Sequence, residues 1–325
     1  MAEWLLEQGI GETRAILVEG YDIVEAAIEL PALIRAGAIV AARLTRIVVP
    51  GRRGIAAAAG EELLVEPLPV RLTEGATFHA EILREAVPET GRAKLAKARA
   101  TEEAERPGPT LERRLGACTI LTPADPDRFE QAGWSELLDQ AASGEIPFPG
   151  GSLRMSLTPA MTLFDVDGSL PPDALAEAGA AAAARAIRRF GIAGSIGLDL
   201  PTVPDRARRQ AAAAAVDALL PQPFERTAVN GFGFLQIVRR RERASIPEFV
   251  QGDPAGAAAR ALLRRVERTA GHGPATIRAA EAVIARIAAQ PEWIARVERT
   301  LGAALALQAE AGLAISAGHV HRSQS

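Results

Sequence analysis

The chain has 325 residues, 48% hydrophobic and 24% charged, with a formal net charge of −3. That length accommodates two or three cores, and no apolar run approaches the roughly 18–20 residues of a membrane span, so a soluble multidomain protein without a membrane partner is expected. Cys118 is the only cysteine, which excludes an internal disulfide and a multi-cysteine zinc site.

The opening MAEWLLEQGIGETR has neither a basic region nor an unbroken apolar stretch, so no secretory signal is expected and the cytoplasm is the simplest address. Residues 1–30 read as short strands, EWLLEQ, ETRAILVE and YDIVEAAIEL, separated by glycine-containing turns. From Ala38 to about Ala100 come further β-rich pieces, AIVAARLTRIVV, EELLVEPLPVRL and ATFHAEILREAV, whose spacing suggests a small barrel. The charged bridge TEEAERPGPTLERR follows, then a buried strand at ACTILTP and a short helix at GWSELLDQAAS.

After Gly151 the pattern alternates. MTLFDV is a strand, and PDALAEAGAAAAARAIRRF is a long helix with Pro172 at its start and Gly191 past its end. GSIGLDL is the next strand and PDRARRQAAAAAVDALL the next helix, followed by strands at FERTAV and GFLQIVRR. Beyond Ser245 a helical region is expected, broken at TAGHGPAT and closed by a strand-like stretch, ALALQAEAGLAIS. Residues 201–325 hold 17 Arg and 11 Asp plus Glu, a net +6, against −9 for residues 1–200. A basic C-terminal part suits a polyanionic partner.

The stretch MTLFDVDGS places two carboxylates, Asp165 and Asp167, at the end of a strand. A strand, a helix and a strand of these lengths form a right-handed crossover with parallel strands, so Asp165 and Asp199 end on the same sheet edge. Ligands of open α/β sheets bind at such an edge. Carboxylates gathered there repel unless a cation intervenes, and oxygen-only ligands suit Mg²⁺, which binds through one or two carboxylates plus phosphate oxygens. For Asp199 the structural alternative is a cap for the following helix, and for Asp165 an acidic turn. The D-x-D-G-S run also resembles the first motif of haloacid dehalogenase-like phosphatases. That family requires a later basic residue and a second acidic pair; Lys94 and Lys97, the only lysines, both precede Asp165, and no matching acidic pair follows.

The same residues resemble the ribonuclease E/G family of endoribonucleases more fully. LFDVDGS is similar to the strand-ending D-V-N-[SG] motif that supplies the first metal-binding aspartate. IRRFGIAGSIGLDL is similar to the turn and strand that supply the second, and GFGFLQIVRRRERASI to the family's R-F-G-L-x-E-x-[ST]-R-x-R segment. The resemblance covers residues 151–250 best. It implies an α/β (α+β multidomain) fold: a ribonuclease H-like part at 1–37 and 103–158, a shortened OB-type RNA-binding barrel at 38–102, a DNase I-like catalytic part at 159–250, a linker at 251–275 and a small C-terminal helical domain at 276–325.

Departures are visible. Asp167 stands where the family usually has Asn. The barrel region retains Phe78 alone among the aromatics that would stack on bases, and stacking contributes about 1–3 kcal/mol per base. No counterpart of the family's 5′-monophosphate sensor is found, and its zinc-link cysteines are absent near RTAGHGPAT, where His272 reads as a loop residue. His319 and His321 read as part of a frayed tail.

The resemblance implies a Mg²⁺-dependent endoribonuclease acting on single-stranded RNA, with a homodimer as the compatible assembly. Asp165 and Asp199 would hold the ion, with Asp167 orienting it or adding a ligand. Arg226, Arg239, Arg240, Arg241 and Arg243, expected near the same edge, would position phosphates together with Lys94 and Lys97. The rival is an RNA-binding protein that keeps the fold without cleaving.

Overall fold

The computed structural model describes residues 2–31, 34–88, 93–269, 271 and 273–322. Strands β1 (Glu3–Gln8), β2 (Thr13–Glu19) and β3 (Asp22–Glu29) come first, then β4 (Ile39–Val49), β5 (Arg53–Ala58), β6 (Glu61–Val65), β7 (Thr77–Arg84) and β8 (Ala96–Thr101). Helix α1 (Leu111–Leu115), strand β9 (Thr119–Leu121) and helices α2 (Arg128–Gln131) and α3 (Trp134–Ser143) lead to β10 (Glu145–Phe148), β11 (Gly151–Leu157) and β12 (Thr162–Gly168). Next are α4 (Pro172–Arg189), β13 (Gly194–Asp199), α5 (Arg206–Leu219), β14 (Glu225–Arg226) and β15 (Phe234–Arg239). The last elements are α6 (Ile246–Gly252), α7 (Pro254–Arg268), β16 (Ala275–Ala279), α8 (Glu281–Ala288), α9 (Pro291–Leu301), β17 (Leu305–Ala309) and β18 (His319–Arg322).

The architecture is mixed α/β, with several sheets and one closed five-stranded barrel. The chain divides into two compact units, Met1–Pro31 with Ala117–Ala142 and Phe249–Ser325, and Ala32–Gly116 with Ser143–Glu248.

In the first unit, β1 pairs antiparallel with β2 and parallel with β9, giving a sheet ordered β3-β2-β1-β9. Helix α7 presents Leu262, Leu263 and Val266 to a core that includes Ile277, Val283, Ile287 and Val297. Its other stripe carries Arg260, Arg264 and Arg268, four residues apart and therefore stacked on one face. Arg260 Nε donates to Glu12 at 2.9 Å, Arg264 Nε donates to Glu7 at 3.0 Å, and Arg268 pairs with Glu7. Arg14, only 1% exposed, lies 3.5 Å from both Glu7 and Glu12. The segment expected as a linker, 251–275, thus contains a helix that organises this unit. An arginine stripe reads as a solvated face when its partners lie some 250 residues away in sequence.

Two smaller differences follow. ATIRA, expected within a helical region, forms β16, and His319 and His321 lie in β18 paired to it rather than in a frayed tail. His272 lies outside the described residues.

In the second unit, β4, β5, β6, β8 and β7 close in that order into a barrel whose core includes Leu44, Leu63, Val65, Ala80 and Ile82. Phe78 is half-buried and packs against this core. The unit's other sheet is ordered β10-β11-β12-β13-β15-β14, and in it only β12 and β13 run parallel. Their alternation is regular: Phe164 and Val166 of β12, Ile196 and Leu198 of β13, and Leu235 and Ile237 of β15 are buried. Helix α4 covers that face, with α5 beside it. The alanine run Ala180–Ala184 and Gly179 let α4 approach closely: a Cβ at Gly179 would lie 2.4 Å from Val166 Cγ1.

Gly179→Ala tests this packing. An alanine normally strengthens a helix by about 1 kcal/mol. Here the stiff, β-branched Val166 cannot yield, so stability should fall by about 1–2 kcal/mol, read as a lower urea midpoint for the full chain. An unchanged or higher midpoint would show that α4 lies off the sheet.

Candidate functional site

Parallel pairing of β12 with β13 brings Thr162 opposite Ile196 and carries the register to Asp165 opposite Asp199. Arg154 of β11 is the partner of Asp165 on the other side, and Phe234 of β15 is the partner of Asp199. One row across four strands therefore reads Arg154, Asp165, Asp199, Phe234, with strands about 4.8 Å apart. The row lies on the face opposite α4. A Cβ at Gly197 would meet Phe234 Cζ at 2.7 Å and Leu163 Cδ1 at 3.0 Å, so Leu163, Gly197 and Phe234 share that face with the acids two residues further on. Asp165 is half-buried and Asp199 exposed.

The environment of the acids is open. Among the described residues no side-chain hydrogen bond or ion pair is formed by Asp165, Asp167 or Asp199. Arg154 is held by Glu145, whose carboxylate accepts from its Nε at 2.9 Å. That hydrogen bond, and the nearby charges of Asp165 and Asp167, raise the guanidinium's pKa further. Arg154 is the cross-strand register partner of Asp165, and no motif singles it out. Its only signal was β-alternation in GSLRMSL, which puts it on the polar face.

Asp167 lies one row beyond, opposite Ser152 and exposed. Two residues along a strand span roughly 6.6 Å, and no group of three or more His, Cys, Asp or Glu is gathered for a metal among the described residues. The donor set is therefore the pair Asp165 and Asp199. Asp199 does not cap the following helix. Asp205 does, its Oδ1 accepting from Ala207 N at 2.7 Å.

The basic residues are placed differently from expectation. Because β15 runs antiparallel to β13, Arg239 is opposite Gly194, at the end of the strand away from Asp199 by roughly 17 Å. Arg239 Nη1 donates to the carbonyl of Ile192 at 2.9 Å, Arg240 lies 3.4 Å from Glu242, Arg241 pairs with Glu248, and Arg243 lies 3.2 Å from Glu85. The cluster thus does not share the acid edge. Arg226 binds Asp217 and holds that carboxyl below the usual carboxylate range. Lys97 lies 2.9 Å from Glu66, and Lys94 donates to the carbonyl of Pro159 at 3.1 Å.

A cavity of about 1050 Å³ lies within the first unit, lined by Trp134, Leu138, Phe249 and Val320 among others, and none of the expected site residues lines it. Among the described residues no helix is long and apolar enough to cross a membrane. Comparison with family models and with curated proteins finds no match for this chain.

Like charges abreast on adjacent strands destabilise a sheet. Without metal, Asp199→Asn should raise stability by about 0.2–1 kcal/mol. Asp165→Asn should gain less, because it also forfeits the attraction of Arg154. If the pair holds Mg²⁺, both should shrink the rise in melting temperature expected when Mg²⁺ is added to the unaltered chain. Equal Mg²⁺ stabilisation in all three proteins would remove the pair as the binding site.

Proposed function

We propose that this chain is a Mg²⁺-dependent endoribonuclease of the ribonuclease E/G type that cuts single-stranded RNA. The observation that carries the reading is the level placement of Asp165 and Asp199 on adjacent parallel strands, with Arg154 beside them. Mg²⁺ needs only one or two carboxylates when phosphate oxygens and water complete its shell, so a two-carboxylate pair fits it. When bound, the ion activates a water and offsets charge on the phosphate and the departing oxygen.

The chain's own residues do the rest. Asp165 and Asp199 offer acceptor-only oxygens and fix where the ion sits. Arg154, two-thirds exposed, supplies a guanidinium fork for a phosphate on the side of Asp165 away from Asp199. Asp167 adds negative charge one row out, where it orients water or repels a phosphate. The open face admits an extended strand rather than an enclosed small molecule.

Other features fit the same reading. In this reading the five-stranded barrel is the OB-type part, the β3-β2-β1-β9 sheet belongs to the ribonuclease H-like part, and β12–β15 with α4 and α5 make the DNase I-like part. A homodimer and a cytoplasmic location belong to this proposal. The rival, RNA binding without cleavage, rests on the barrel's single aromatic, Phe78, and on the missing counterpart of a 5′-monophosphate sensor, and the retained acids oppose it.

Incubating the protein with a labelled A/U-rich oligoribonucleotide in Mg²⁺ or in EDTA separates the two. Cleavage in Mg²⁺ alone is expected, lost by at least 100-fold in Asp165→Asn and Asp199→Asn and little changed in Asp167→Asn. Binding with no Mg²⁺-dependent cleavage would install the rival.

Salt dependence assigns the phosphate contacts. On a single strand each contact contributes a log–log slope of about −0.7. Arg154→Ala should flatten the slope by about one such step, whereas alanine at Arg239 and Arg241, which serve the fold, should not. The reverse pattern would return phosphate positioning to the 239–243 cluster.

A further inference from the structure

We propose that Phe232 is the surface on which a base of the bound RNA stacks, next to the acid pair. This rests on the single-stranded RNA reading above and adds a residue to it. Phe232 is 84% exposed, and Tyr21 is the only other aromatic among the large exposed hydrophobic side chains of the described residues. Tyr21 belongs to the first unit, whereas Phe232 belongs to the unit that carries Asp165 and Asp199.

Single exposed apolar residues are common and need no explanation. What distinguishes this one is that its backbone is fixed. Asn230 Oδ1 accepts from the amides of both Phe232 and Phe234, at 2.9 and 3.0 Å, while Gly233 N donates to Asn230 O and Asn230 N to Phe234 O. The turn is also fastened to the residues that follow Asp199. Leu200 N donates to Gly233 O at 3.2 Å, and Thr202 Oγ1 donates to Phe232 O at 3.3 Å. Gly233 is required there: its φ is +91°, and a Cβ would lie 2.1 Å from Leu200 O. Since Phe234 is the register partner of Asp199, Phe232 stands two residues beyond the row of site residues.

An exposed ring on a fixed backbone is what base stacking can use, and such stacking tolerates any base because every base has a π-face. The barrel does not supply one through Phe78, which packs against the barrel core. A nucleotide beside a phosphate held at Asp165, Asp199 and Arg154 therefore finds its aromatic partner in the Asn230–Gly233 turn.

The test compares Phe232→Ala, Phe232→Leu and Phe232→Trp with the unaltered chain. Binding of a labelled A/U-rich oligoribonucleotide is measured in EDTA, and cleavage of the same oligomer in Mg²⁺. Alanine and leucine should weaken binding roughly 5- to 100-fold, and tryptophan should retain it. A base-free ribose-phosphate oligomer should bind the unaltered chain weakly and be indifferent to Phe232→Ala, which a merely structural role would not produce. Equal RNA binding by the alanine variant, or full affinity with leucine, overturns the stacking role even if Mg²⁺-dependent cleavage stands. Selective weakening without any cleavage supports stacking while removing the endonuclease reading. Absence of RNA binding by the unaltered chain overturns both.

Discussion

The pairing of β12 with β13 is parallel, and a parallel pair cannot be closed by a tight turn, so the chain must leave the sheet, cross it and return. Helix α4 makes that crossing, and its close seat on Val166 through Gly179 holds the two strands in register. Because both strands then run the same way, Asp165, midway along β12, and Asp199, the last residue of β13, stand level with each other. The neighbours in the sheet run the other way. They bring to the same row a residue from the middle of β11, Arg154, and one from the start of β15, Phe234. One topological choice thus assembles a cation, two acids and an aromatic from four stretches of sequence.

In the first unit the organising interaction is electrostatic. Arg14, Arg260, Arg264 and Arg268 meet Glu7, Glu12 and Asp127 in a largely buried network joining residues near both ends of the numbering. Removing one member of such a network leaves a buried charge uncompensated, at a cost of about 3–5 kcal/mol. The network also changes the meaning of the charge asymmetry. Part of the +6 of residues 201–325 is matched internally by acids from residues 1–200, so it is not a free basic surface awaiting a polyanion.

Much of the second unit's sheet was legible in the sequence because its signals are local. Alternation in MTLFDV and GSIGLDL, Pro172 at the start of α4, and Gly191 beyond its end define strand, helix and strand, and the parallel crossover sends both acids toward one sheet edge. Their level register is given by the structure alone. The barrel was legible as closely spaced short strands. The direction of β15 was not, because an amphipathic strand looks the same read either way, and the Arg239–Arg243 cluster was therefore placed at the wrong edge. Arg154 escaped notice for a related reason: its importance lies in a cross-strand partner, not in any motif. Helix α7 falls in the region expected to be helical, but its buried role is not legible, because arginine four residues from arginine signals solvent until the buried acids are known.

The chemistry of the proposed substrate suits an open face better than the large cavity. That cavity is lined by apolar residues and by charged ones already paired, and arginines on its lining are bound within the protein, as Arg260 is to Glu12, Arg264 to Glu7 and Arg265 to the carbonyl of Gly318. A polymer threaded through a site needs entry and exit on both sides of the reacting phosphate, and hydrated charge that a closed pocket would strip at large cost. The row Arg154, Asp165, Asp199, Phe234 meets those needs. It is flat and charged where the phosphate would lie, its acids carry no competing protein partners among the described residues, and an aromatic lies at one end. Affinity on such a surface must come from discrete contacts, because little area is enclosed. That places a disproportionate share of recognition on the few rigid groups the face presents, Arg154 and the clamped Asn230–Gly233 turn.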